Sequence, residues 1–108
     1  MNIANLLNVA ACVCGKDGLI SEAEENMMFQ VILNEFPDYL REDFEKTLDI
    51  FFDSTAQIED YAACISNKEQ RMFTLFLAKE SASVDGLDIR ENIALQKVTQ
   101  IWGENIDE

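Results

Sequence analysis

Histidine is absent from this chain of 108 residues, and proline occurs once. Without imidazole the chain has no side chain that ordinarily titrates near neutral pH, which removes the commonest general base and the commonest zinc ligand together. No serine or cysteine stands in a nucleophile motif, and the four glycines form no loop of the kind that cradles phosphate. A hydrolase built on carboxylates alone stays conceivable, because paired acids cleave glycosidic bonds. That chemistry needs a cleft, and a helical chain this short has little room for one. The sequence therefore predicts a protein that is not an enzyme and has no catalytic residues.

Basic residues are also scarce: 8 Lys and Arg face 21 Asp and Glu, for a net charge of -13. A field of that sign repels phosphate backbones and anionic headgroups, which disfavours DNA, RNA and membrane surfaces as direct ligands, and no nucleic-acid partner is expected. Cations and protein partners with a basic surface are favoured. No apolar stretch approaches the ~20 residues of a membrane span, and Met1 to Asn5 form no basic leader. The expectation is a soluble, cytoplasmic protein with no membrane insertion. The three cysteines form no framework: Cys12 and Cys14 sit two apart on a helix, pointing to nearly opposite sides, and no C-x-x-C pair exists. Together with Cys64 they read as buried small hydrophobes in a reducing compartment.

What the chain does have is apolar content, 48% of its residues, enough for one core in a single domain over 1–108. Its spacing is helical throughout, with no strand alternation of useful length. Ile3, Leu6, Leu7, Ala10, Ala11 and Cys14 mark one buried stripe, closed by Gly15. Ser21 caps a second helix carrying Met27, Met28, Val31, Ile32 and Phe36, which Pro37 stops. Leu40, Phe44, Leu48 and Phe51 outline a third. After a break at Ser54 and Thr55, the residues Ile58, Tyr61, Ala62 and Ile65 outline a short fourth, ending near Ser66 and Asn67. Asn67 caps a fifth. Its run from Met72 to Ala78, apolar nearly all round, predicts the helix enclosed by the others at the centre of the core. The sixth begins at Asp88 and carries Ile89, Ala94, Leu95, Val98, Ile101 and Trp102 before Gly103 and a frayed acidic tail over 103–108. The fold class is all-α, a single compact bundle of about six to seven helices. Trp102, Met27, Met28 and Met72 lie at helical spacing and read as core rather than as an adaptable partner groove.

Self-comparison adds an internal repeat. Asp17, Gly18 and Leu19 lead to Ser21 and Glu24, and Asp85, Gly86 and Leu87 lead to Asp88 and Glu91. Each set pairs a tight turn, in which glycine reverses the chain and aspartate bonds local N–H groups, with a capping box on the helix that follows. The fold thus contains two similar helix, Asp-Gly loop, helix units. Asp17, Gly18, Ile20 and Glu24 also match positions five, six, eight and twelve of a calcium-binding EF-hand loop. Positions one and three fall on Val13 and Gly15, so a full EF-hand cage is excluded on ligand count. A divalent cation, Ca²⁺ or Mg²⁺, shared between the loops through Asp17, Glu24, Asp85 and Glu91 or Asp88 requires the loops to be neighbours.

The pattern Asp17, Gly18, Ile20, Ser21 and Glu24 after an alanine-containing helix, with a second Asp-Gly near the C-terminus, resembles the tellurium-resistance TerB-like family. The second loop is one residue shorter, a deletion that puts Glu91 rather than Asn92 in the glutamate's place. The resemblance covers nearly the whole chain. It implies an all-helical fold whose two acidic loops share a negative face associated with divalent metal. It also implies a partner module of stress or defence systems rather than an enzyme. A second function fits the charge equally: an immunity or inhibitor protein whose carboxylates mimic the phosphates that a basic nuclease or toxin would bind. Such a mimic spreads exposed acids along one face, as Glu42, Asp43, Glu45, Asp49 and Asp53 of the third helix would, whereas the module concentrates them at the two loops.

Overall fold

Six helices in chain order account for most of what the computed structural model describes, residues 3–15, 20–84 and 89–103, with only the backbone of Arg90. They are α1 (Ile3–Gly15), α2 (Glu22–Glu35), α3 (Arg41–Asp53), α4 (Ile58–Ala62), α5 (Lys68–Ser83) and α6 (Ile89–Trp102). Among the described residues there is no strand. The radius of gyration is 12.4 Å, close to the ~13 Å of a compact domain of this length.

The enclosed helix is α1, which packs against each of the other five. Its buried residues Leu6, Leu7 and Val9 to Cys14 occupy every side of the helix, the signature of a helix surrounded by protein. Four of them, Ala10, Ala11, Cys12 and Cys14, are small, so neighbouring backbones can approach from several directions at once. This corrects the expectation that α5 lies at the centre. On α5, Leu75, Leu77, Ala78 and Ala82 are buried, whereas Met72 and Phe76 are 36% and 54% exposed. With Lys79 and Glu80 they follow at four, three and one residues, one solvent side of a helix that packs on α1, α2 and α6. Met72 is accordingly not core, while Met28 is buried, Met27 packs against the core and Trp102 is buried.

Helix ends follow local chemistry. Pro37 lies just beyond α2, whose last turn closes with the Phe36 N–H donating to the Ile32 carbonyl at 2.7 Å. The Asn67 side chain accepts the Gln70 N–H at 3.1 Å and starts α5 as its residue type predicts. Gly103 takes a φ of 68° and terminates α6, a left-handed conformation that favours glycine. Residues 104–108, most of the expected frayed tail, lie outside the described residues.

Three expected core positions fall elsewhere. Leu40 precedes α3 rather than joining it and is 58% exposed, leaving Phe44, Leu48 and Phe51 as that helix's buried side. Ile89 and Ile101 on α6 are exposed, and Leu95, Val98 and Trp102 make its inner face. The fourth helix ends at Ala62, short of Ser66 and Asn67, and the Ile65 N–H turns back to the Ala62 carbonyl at 3.1 Å. Trp102 Nε1 donates to the Ala62 carbonyl at 3.0 Å, and Arg71 Nε donates to the Ile65 carbonyl at 2.7 Å. That early stop places Cys64 in an exposed turn, which corrects its assignment as buried, while Cys12 and Cys14 are buried as expected.

Candidate functional site

Glu24 and Glu91, the glutamates of the two repeated units, are the third residues of α2 and α6. In the first unit the capping box is complete: the Glu24 N–H donates to Ser21 Oγ at 3.0 Å, and the Ser21 N–H donates to Glu24 Oε1 at 2.9 Å. Both glutamates are buried, at 4% and 7% exposure. Asp17, Asp85 and Asp88, with the two Asp-Gly turns and the second capping box, lie outside the described residues.

Glu24 and Glu91 both act on Cys14, in the last turn of α1. Burial pushes the Cys14 thiol well above its ordinary value, and the carboxylates of Glu24 and Glu91 push it further. A single thiol that feels both carboxylates is a point on which α2 and α6 both act electrostatically. Two carboxylates are suitable oxygen donors for a hard divalent ion, but one oxygen of Glu24 is held by its own helix cap, and a thiol kept protonated is no ligand. Among the described residues no group of three or more Cys, Asp and Glu is arranged to hold a metal ion.

The second acidic region is α3. Phe44, Leu48 and Phe51 face the core, and Glu42, Asp43, Glu45, Asp49 and Asp53 are all exposed. Glu42, Glu45, Asp49 and Asp53 recur at three, four and four residues, so they form one stripe along the solvent side. Two grooves flank this helix. One, of about 660 Å³, opens towards the start of α1, where Ile3, Tyr39 and Ile50 line it beside Lys46, and Asp43 is its single carboxylate. The other, of about 250 Å³, lies against α2 and brings together Glu25, Glu45 and Asp49. The Glu45 side chain there is 65% exposed.

Sequence reasoning missed two features of these regions. Cys14 reads as one more apolar position of α1, and nothing local signals that two carboxylates from α2 and α6 act on it. Arg41 reads as the first residue of an acidic helix, yet its guanidinium sits over the rings of Phe29 and Phe44, at 5.0 and 5.4 Å, and pairs with Glu45 at 3.6 Å. The spacing of Arg41 and Glu45 by four residues is a signal for the ion pair, while the ring contact with α2 has none. Comparison of the chain with family models, with curated proteins and with solved structures finds no match in any of the three.

Proposed function

We propose that this chain is a non-enzymatic acidic interaction module that engages a protein partner through that partner's basic surface. The observation that carries the reading is the exposed stripe on α3, where Glu42, Glu45, Asp49 and Asp53 lie in line with Asp43 beside them. Burial of Glu24 and Glu91 takes two of the four loop acids off the surface, which moves the docking face from the loops to α3. A net charge of -13 draws such a partner in over distance and repels nucleic acid. No helix among the described residues is long and apolar enough to cross a membrane.

Two partner classes fit this face. The TerB-like resemblance points to a component of a stress or defence system, and the linear array of carboxylates points to a basic nuclease or toxin that takes them for phosphates. Competition separates them: DNA displaces the chain from a partner for which it is a phosphate mimic, and leaves the other complex intact. The general test is binding of a basic protein by titration calorimetry at two salt concentrations. Salt-sensitive binding that weakens on neutralising the α3 acids is expected, and binding indifferent to both salt and those acids would sink the reading.

The cation part of the resemblance draws on the two buried glutamates, Glu24 and Glu91, one from each unit. Calorimetric titration with Ca²⁺ and with Mg²⁺ tests it. Heat that disappears in the Asp17→Asn and Asp85→Asn variants is expected, and absence of heat with either ion removes the cation from the function.

A further inference from the structure

We infer that the groove between α2 and α3 is the receptor for an arginine side chain of the basic partner. This rests on the proposed function and adds to it where the partner docks and which of its residues is read. The groove, of about 250 Å³, has carboxylates on both sides, Glu25 from α2 and Glu45 with Asp49 from α3. Arg41 is the one cation in its lining, so three negative charges face a single positive one. The remaining wall is apolar: Phe44 and Leu48 are buried behind it, and Phe52 stands at its edge with 42% of its surface in solvent.

The resident arginine displays the chemistry that the groove recognises. Arg41 stacks on Phe29 and Phe44 and reaches Glu45, using an aromatic face and a carboxylate together. Phe52, Glu25 and Asp49 line the same groove, so a second guanidinium entering beside Arg41 is offered a ring and carboxylates of its own. Arginine gains from both halves, because its planar fork pairs with a carboxylate through two N–H groups and lies flat on a ring. Lysine, a compact and strongly hydrated point charge, gains mainly from the carboxylates. The larger groove on the other flank of α3 has one acid balanced by Lys46 and no such preference.

The experiment uses an oligoarginine peptide and an oligolysine peptide of equal length, titrated into the full chain at low salt. The wild type is expected to bind the arginine peptide about fivefold more tightly than the lysine peptide. Phe52→Ala and the double variant E45Q/D49N are expected to weaken arginine binding about tenfold. A double variant of exposed acids on α5, E69Q/E80Q, makes the same change in net charge and is expected to weaken it about twofold or less. R41Q removes the resident competitor and tightens arginine capture more than K46Q does. Equal losses from the two double variants, or an unchanged affinity in Phe52→Ala, would overturn the groove while leaving a charge-driven module standing. Failure of the wild type to bind either peptide would overturn the proposed function itself.

Discussion

Burial of Cys14 beside the carboxylates of Glu24 and Glu91 favours the neutral thiol, so the folded chain retains that proton at a pH where the unfolded chain has released it. Below the ordinary thiol value of 9.0 both states are protonated and this contribution to stability is complete. As pH rises past that value the unfolded chain binds fewer protons than the folded one, and stability falls by up to about 1.4 kcal/mol per pH unit until the folded value is reached. Urea denaturation of the wild type and of Cys14→Ala, near pH 8 and again near pH 10, reads the effect as the difference between two differences. The wild type is expected to lose more on going alkaline, and parallel losses would show that Cys14 does not titrate differently in the two states. Glu24 was legible in the sequence as a capping glutamate because the capping box is local, spanning four residues. Its effect on a thiol ten residues earlier was not, since that depends on how α2 packs against α1.

Among the elements, the swap of centre between α1 and α5 has an energetic consequence. Leu7 on α1 is 0% exposed, and truncating a leucine enclosed on all sides leaves a cavity, so Leu7→Ala is expected to cost about 2 to 5 kcal/mol. Phe76 on α5 is 54% exposed, and Phe76→Ala is expected to stay within about 0.5 kcal/mol of the wild type. Chemical denaturation of both variants checks the pair, and the reverse order would restore α5 to the centre. Helical periodicity made all six helices legible, because the 3.6-residue repeat, Pro37, Asn67 and Gly103 act within a turn or two of chain. It could not rank the helices by enclosure. The stripe from Ile3 to Cys14 looks one-sided until Val9, Cys12 and Val13 are seen to be buried on the opposite side, and side-chain volume rather than apolarity decides how many neighbours fit. The contact made at the end of α4 was illegible too, as the Ala62 carbonyl accepts from Trp102, forty residues away. The acids of α3 were legible as a candidate face from their spacing, while the groove beside them needs Glu25 and the packing of α2.

For the whole molecule the governing quantity is a charge of -13 on a body of 33 × 27 × 26 Å. At about 0.01 M salt the screening length is ~30 Å, comparable to the long axis, so each carboxylate feels nearly all the others; at about 0.1 M it is ~10 Å and only neighbours interact. Among the described residues the ion pairs Arg41–Glu45 and Lys97–Glu59 are about half exposed and contribute little, so with 21 acids against 8 basic residues self-repulsion is expected to dominate the electrostatics of folding. Added salt is therefore expected to raise the melting temperature across this range. Capture of a basic partner responds in the opposite direction, because the attraction that brings it to α3 is screened by the same ions. Thermal melts and peptide titrations over one salt series give both curves from one preparation. Stability rising while affinity falls is the outcome required of a chain whose acids strain the fold and serve a partner. A melting temperature that drops with salt would mean that attractive pairs outweigh the repulsion, and affinity that holds while stability rises would remove the carboxylates from the docking face.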